Sequence, residues 1–270
     1  MNSTPHASRA SIEIAPLSSE HPVETEEALW ISISPALSVF DRPLLGFLAK
    51  GAVINQWQYT QEPDESCSLE RVLTLLHDYL KHRSRPVHLM GHGVSGAIAL
   101  LYTRLHPKRV RSLTLFAVAE QPAVTWHANY YVQRHLSPCS QHRLLAQIAQ
   151  QLFKGKLLYS SHQLIQVLAK DLREAPLLHS LCHIEKLPQG GVEVPLMVYG
   201  AADDMIVRDA ALRDWREHLN KGDRIWSCEQ GGHFFHYFQA KALADQVNSF
   251  WQSLAQPRLV ATERFYSNPA

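Results

Sequence analysis

The feature that most constrains the fold is a run of small and apolar side chains around a glycine-rich turn, residues 87–102. The run reads VHLMGHGVSGAIALLY, which predicts a short apolar strand, a sharp turn and the start of an alanine-rich helix. Small residues at Gly91, Ser95 and Gly96 allow the backbones of strand and helix to approach closely. Read without gaps, the apex of the turn is Gly93, with the free N–H groups of the helix behind it.

Strands and helices alternate on both sides of this turn. Strands are predicted at residues 28–34, 52–57, 110–118, 194–200 and 223–228, and helices at 42–50, 68–80, 210–219 and 241–254. Such alternation is typical of a parallel sheet covered by helices. Residues 120–188 contain no convincing strand, and helices are predicted at 123–133, 141–153, 161–171 and 177–184. We therefore expect an α/β protein with a helical insertion.

The turn resembles the nucleophile elbow of the α/β-hydrolase family, in the form Gly-His-Ser-x-Gly-Gly before a small-residue helix. Gly91, His92, Gly96 and Ala97 fall on matching positions, but glycine stands at 93 where the family carries serine. Two further segments are similar to the family's acid loop (GAADDMIV, 200–207) and to its histidine loop (GGHF, 231–234). The order elbow, acid, histidine is the family's order, and the resemblance covers residues 28–254.

The resemblance implies the α/β-hydrolase fold, a mostly parallel central sheet flanked by helices with a helical lid over the active-site mouth. We expect the core in residues 26–119 and 189–255 and the lid in 120–188. We expect residues 1–25 to form a loose lead-in, since they show neither the basic start nor the apolar core of a signal peptide; one strand candidate lies at 11–14. We expect residues 256–270 to form a flexible tail.

The resemblance also implies an acid–histidine pair. Asp203, preferred over Asp204 because it fits the family's spacing, would accept a hydrogen bond from His233 and fix the tautomer of that ring. The other ring nitrogen would face the elbow and act as a general base. The alternative is that Asp203 and His233 are ordinary turn residues.

The nucleophile is the element that departs from the family. Glycine has no side chain to attack a carbonyl, and Ser95 offers a second frame, Gly-x-Ser-x-Ala, that would shift the elbow by two residues. The alternative for Ser95 is a small residue at the helix–strand contact with a locally bonded hydroxyl. Ser34 and Pro35 stand where the family usually has His-Gly, and proline has no N–H to donate to an oxyanion.

These departures favour a hydrolase scaffold that has lost or attenuated its serine chemistry and acts by binding. The expected occupant is a small ligand under the lid, or else a protein partner. The candidate ligand-binding residues are Ser34, His92, Gly93, Val94 and Trp126. The alternative is an esterase-like hydrolase or a lyase that uses Ser95 or a His233-activated water on a small carbonyl or ester. A purely structural interaction protein would show a filled pocket and an exposed apolar patch on the lid.

The composition limits the classes of partner, the cellular location and the cofactors that we expect for this chain. The chain has 270 residues and a formal net charge of +1, which does not suggest nucleic acid or an anionic membrane as the main partner. No apolar run approaches the roughly 20 residues that span a bilayer. Four scattered cysteines predict reduced thiols in the cytoplasm. Among sixteen histidines, the pairs His233/His236 and His179/His183 lack a completing carboxylate or cysteine, so we expect neither a metal site nor a cofactor.

Overall fold

The computed structural model describes residues 26–61, 68–154, 159–175 and 188–255. It contains a single six-stranded sheet in the described part of the chain. The strands are β1 (Glu27–Ser32), β2 (Val53–Gln58), β3 (Val87–His92), β4 (Val110–Phe116), β5 (Leu196–Ala201) and β6 (Arg224–Cys228). Their order in the sheet is β2-β1-β3-β4-β5-β6, and every neighbouring pair is parallel. The predicted mostly parallel sheet is confirmed.

Helices cover both faces of the sheet, as a parallel sheet requires. They are α1 (Arg42–Leu48), α2 (Leu69–Lys81), α3 (Gly93–Leu105), α4 (Trp126–Leu136), α5 (Gln141–Phe153), α6 (Ser161–Glu174), α7 (Asp209–Asp214), α8 (Phe235–Phe238) and α9 (Ala240–Ala255). The predicted start of α2 is confirmed, because Ser68 caps that helix by accepting the backbone N–H of Arg71. No helix among the described residues is long and apolar enough to cross a membrane.

Alternate side chains of the strands form two hydrophobic cores. Leu29, Leu89 and Val198 point to the face that packs against α2 and α3. Their neighbours Trp30, Met90 and Tyr199 belong to the opposite core, together with α1 and α9. Because strand side chains alternate with a period of two, a one-residue slip of any central strand would exchange the two faces. The sheet is therefore held in a single register.

Helices α4, α5 and α6 are inserted between β4 and β5. They share a third hydrophobic cluster, in which Leu144, Ile148 and Leu168 pack with Phe40 and Phe234 from the main body. The N-termini of the three helices are capped by the side chains of Thr125, Ser140 and Ser160. The helical nature of the insertion thus follows the sequence pattern. The predicted helix at 177–184 and the strand at 11–14 lie outside the described residues.

Candidate functional site

The elbow is built at the junction of β3 and α3. The strand ends at His92 and the helix begins at Gly93, which has φ of +51°, a left-handed value that side-chain-bearing residues adopt only under strain. A Cβ on Gly91 would lie 2.7 Å from the backbone nitrogen of Gly96, so glycine is required where the strand and helix meet. The strand and the helix therefore meet in a tight turn, and the residue at its apex is Gly93.

The acid partner of His233 is Asp204. Nδ1 of His233 lies 2.9 Å from Oδ2 of Asp204, and both side chains are fully buried. The prediction that Asp203 fills this role is wrong: its carboxylate accepts the backbone N–H groups of Gly231 and Gly232, at 3.3 and 2.8 Å. Asp203 therefore holds the histidine loop in place without touching the imidazole.

Local turn geometry explains the choice between the two aspartates. After β5, the backbone N–H of Asp204 donates to the carbonyl of Ala201, and the Asp204 side chain accepts the N–H of Ile206 at 2.7 Å. This turn fixes one carboxylate oxygen of Asp204 on the backbone and leaves the other for His233. The two acidic residues are adjacent in sequence, so their spacing from the elbow and from the histidine hardly differs.

The second ring nitrogen of His233 faces the apex of the elbow. Its Nε2 is buried and has no hydrogen-bond partner among the described residues. It lies 3.4 Å from the point where a Cβ on Gly93 would be placed. The imidazole is therefore set beside an apex that carries no reactive side-chain atom.

Ser95 is hydrogen-bonded to the backbone after β1. It lies in the first turn of α3, and its Oγ accepts the backbone N–H of Ile33 at 3.1 Å. Because Nδ1 of His233 bonds Asp204 and Nε2 has no partner, no hydrogen bond joins Ser95 to His233. The contact with Ile33 ties the start of α3 to the end of β1. Ser95 thus lies at a helix–strand contact, but its hydroxyl bonds a residue 62 positions away and not a local partner.

A small cavity lies beside the apex. All five residues predicted to bind a ligand line it: Ser34, His92, Gly93, Val94 and Trp126. The cavity has a volume of about 20 Å³, enough for one water molecule or one ligand oxygen. Ser34 Oγ and Trp126 Nε1 are buried without hydrogen-bond partners among the described residues. Residues from the loop after β1 and from the helical insertion thus line the same cavity.

Solved structures with this architecture are α/β-hydrolase fold enzymes. An enol-lactonase from Burkholderia xenovorans LB400 superposes with a TM-score of 0.63 and 16% identity, covering 86% of this chain and 94% of that one. A hydrolase from Pseudomonas aeruginosa PA01 superposes with a TM-score of 0.63 and 19% identity, covering 86% of this chain and 92% of the hydrolase. A serine hydrolase involved in carbazole degradation superposes with a TM-score of 0.64 and 15% identity, covering 84% of this chain and 91% of that enzyme.

The chain has the α/β-hydrolase fold.

Two curated relatives are much nearer in sequence to this α/β-hydrolase fold protein. An uncharacterized protein of Nostoc sp. (alr2406) is 45% identical over 226 residues, or 84% of this chain and 90% of the relative. An uncharacterized protein of Synechocystis sp. (sll0249) is 39% identical over the same lengths. The chain belongs to one family with these two cyanobacterial proteins. No model of a known protein family matches it.

The site of this α/β-hydrolase fold protein contains a second aspartate–histidine pair that sequence reasoning missed. Nε2 of His236 lies 3.0 Å from Oδ1 of Asp41, and Oδ2 of Asp41 accepts the indole N–H of Trp30 at 3.0 Å. His236 and Asp41 are separated by 195 residues, so no local pattern connects them. The sequence feature that points to His236 is the HFFH segment, residues 233–236, whose two histidines are also spaced like a metal-binding pair.

His92 lies between the two pairs. Its ring centroid is 4.8 Å from that of His233 and 4.3 Å from that of His236, and its Nε2 donates to the carbonyl oxygen of His233. Burial, and then the two neighbouring imidazoles, hold the pKa of His92 well below its usual value. His92 is therefore neutral at physiological pH. The described part of the chain contains no group of three or more His, Cys, Asp or Glu side chains arranged to hold a metal ion.

Proposed function

We propose that this protein is a non-hydrolytic member of the α/β-hydrolase superfamily. It acts by binding a small ligand at the small cavity beside Gly93. One observation carries the proposal: the apex beside Nε2 of His233 is Gly93, which has no nucleophilic atom. In dissected serine proteases, loss of the nucleophile lowers kcat by about a millionfold. A scaffold with an intact acid and base but no nucleophile is suited to holding a ligand.

Two further features support the loss of serine chemistry. The hydroxyl of Ser95 is engaged by the backbone N–H of Ile33, and a nucleophile needs that oxygen free and beside its base. Pro35, at the start of the loop that would supply half of the oxyanion hole, has no N–H to donate. Removing one such donor costs about a hundredfold in rate.

Binding at this cavity is supported by unsatisfied polar atoms on two residues that line it, Ser34 and Trp126, and on His233, which lies beside Gly93. Nε2 of His233, Oγ of Ser34 and Nε1 of Trp126 are all buried without partners among the described residues. A buried polar group left unsatisfied costs about 1–3 kcal/mol, and a ligand that pairs with it recovers that energy. Because Trp126 belongs to α4, we propose that the helical insertion serves as a lid over the ligand.

A water in the cavity defines the alternative function. A cavity of about 20 Å³ holds one water. His233, supported by Asp204, lies beside Gly93, which lines that cavity, and would be a suitable base for such a water. This arrangement would add water to a small carbonyl or ester without a covalent intermediate. Such an enzyme would turn over in the wild-type form, whereas a binding protein would not.

A protein partner is a further candidate, favoured by the outer face of α4. Val132 and Leu136, one helical turn apart, are 57% and 72% exposed. We also propose a cytoplasmic location, because Cys139 is a free thiol. Cell fractionation followed by immunoblotting tests the location.

Labelling by a serine-directed fluorophosphonate tests the main proposal. The wild-type protein is expected to remain unlabelled, and the G93S variant is expected to be labelled because its new hydroxyl lies beside Nε2 of His233. Adding H233Q to G93S should remove the labelling. Labelling of the wild-type protein that disappears in S95A would contradict the proposal and identify Ser95 as a nucleophile.

A further inference from the structure

A second and larger cavity lies between α1 and β2. Its volume is about 470 Å³, which is within the range of small-molecule sites, whereas the cavity beside Gly93 has about 20 Å³. Ser32 is the one residue that lines both. Because β2 is the end strand of the described sheet, the larger cavity lies at the edge of the sheet and is a separate space.

The strand side of this cavity is polar, although a helix lies over it. Ile54, Gln56 and Gln58 are alternate residues of β2, and all three line the cavity. The neighbour of Gln56 on β1 is Trp30, which is buried in the core shared with α1 and α9. A strand face under a helix is normally apolar. Neither glutamine amide has a hydrogen-bond partner among the described residues, so both are available to a ligand.

The helix side of the cavity supplies the space. Four residues of α1 and its C-cap line it with the spacing i, i+3, i+4 and i+7, which places them on one helix face: Arg42, Leu45, Gly46 and Ala49. Gly46 and Ala49 are small at positions where a helix packed on a sheet usually carries large apolar side chains. A Cβ on Gly46 would meet nothing within 4 Å. The cavity therefore results from small residues opposite two glutamines.

Arg42 gives the cavity a positive charge. Its side chain is exposed and forms no ion pair among the described residues, and none of the residues that line the cavity is acidic. Arg42 follows β1 and Gln58 ends β2, so both lie toward the carboxyl edge of the sheet, where Ser32 is the neighbour of Gln58. A guanidinium group binds a carboxylate or a phosphate through two parallel hydrogen bonds. This end of the cavity is therefore suited to an oxyanion.

We infer that the cavity between α1 and β2 binds a small polyhydroxylated anion, namely a sugar phosphate or a sugar acid. Arg42 pairs with the oxyanion, and the amides of Gln56 and Gln58 bond hydroxyl groups, which donate and accept as the amides do. Leu45 and Ile54 contact the carbon skeleton. The site is independent of the turn at residue 93, so fluorophosphonate labelling of the wild-type protein would leave this inference unchanged.

Titration calorimetry and thermal unfolding with glucose 6-phosphate, gluconate, glucose and inorganic phosphate test the inference at constant ionic strength. Glucose 6-phosphate, gluconate or both are expected to raise Tm and to give a measurable Kd, and the tighter of the two identifies the oxyanion. Glucose and phosphate alone should bind at least tenfold more weakly. Equal binding of glucose would overturn the anionic class, equal binding of phosphate would overturn the hydroxylated body, and no binding of either sugar anion would overturn the site.

Variants test the placement of the ligand. R42Q should weaken binding of the tighter sugar anion by about tenfold or more, and R143Q, at an exposed position of α5, is the control that should bind like the wild-type protein. G46F places a ring in the cavity and should abolish binding. Its control is G46A, whose Cβ meets nothing within 4 Å and leaves most of the space open. Circular dichroism checks that each variant is folded. Wild-type affinity in both R42Q and G46F would overturn the placement.

Discussion

Nε2 of His233 lies 3.4 Å from the position that a Cβ on Gly93 would occupy. A serine at residue 93 would therefore bring its hydroxyl within reach of a buried imidazole that is already oriented by Asp204. The backbone also has the required shape, since Gly93 adopts φ of +51° at the junction of β3 and α3. We therefore propose that Asp204, His233 and the turn at Gly93 correspond to the acid, the base and the elbow of a serine hydrolase, around an apex without a side chain.

The identity of the acid is testable in the G93S background. Asp204 orients and supports His233, so D204N should lower the kcat/KM that G93S gains toward activated esters by about a thousandfold or more. D203N is the matched control, because Asp203 bonds only to the backbone of the histidine loop in the described structure. It should retain most of the activity. The assignment is wrong if D203N is the more damaging change.

Ser95 is expected to matter for stability. S95A leaves the buried N–H of Ile33 without an acceptor, so the free energy of unfolding should fall by about 1–3 kcal/mol. Urea unfolding followed by circular dichroism measures this. S227A, at an exposed position of β6, is the control and should stay within about 0.5 kcal/mol of wild type. A wild-type midpoint for S95A would argue against the hydrogen bond.

Two glycine-to-alanine substitutions should have opposite effects. At Gly91 a Cβ would lie 2.7 Å from backbone nitrogen of Gly96, so G91A should destabilise the fold by about 3 kcal/mol or more. At Gly46, an exposed position inside α1, a Cβ meets nothing within 4 Å. G46A should stabilise by about 0.5–1 kcal/mol. Thermal unfolding of both variants checks the predicted contact, and a mild effect of G91A would contradict it.

His88 predicts a pH dependence of stability. It is fully buried at the start of β3, between Glu26 and Ser112, and burial lowers its pKa to about 4 although Glu26 opposes the shift. Between the pKa of about 4 in the folded protein and 6.5 in the unfolded chain, His88 is protonated in the unfolded state and neutral in the folded state. Stability is therefore full above pH 6.5 and is lost as the pH falls toward 4, by about 3 kcal/mol.

Urea unfolding at several pH values between 4 and 7.5 measures this dependence. H88Q should remove most of the change in the free energy of unfolding with pH, because glutamine does not titrate. H135Q, at an exposed position of α4, is the control and should keep the wild-type slope. An unchanged slope in H88Q would assign the pH dependence to other groups.

Local sequence patterns were sufficient for the sheet and the elbow. Close contact across the turn requires small residues, so glycine at 91 and 96 marks the elbow without any knowledge of the tertiary structure. The limits of α5 were predicted at 141–153 and are found at Gln141–Phe153, because serine at 140 caps a strongly amphipathic segment. Both features depend on residues that are neighbours in sequence.

Sequence reasoning missed two features of the site. One depends on the direction in which a side chain points, and the other joins residues that are far apart along the chain. Asp203 and Asp204 have nearly the same spacing from every motif, and only the turn after β5 determines which carboxylate meets His233. The Asp41–His236 pair joins the start of α1 to the segment that follows the histidine loop. That contact exists only once the chain has folded, and no periodicity in either segment indicates it.

Gly93 provides no nucleophilic atom at the turn, whereas Asp204 and His233 are bonded as an acid and a base would be. The most direct measurement is hydrolysis of short- and medium-chain activated esters by the wild-type protein, G93S, S95A and G93S/H233Q. We predict no turnover by wild type or S95A, turnover by G93S, and its loss in G93S/H233Q. Turnover by the wild-type protein that S95A abolishes would contradict the account and make this protein an enzyme.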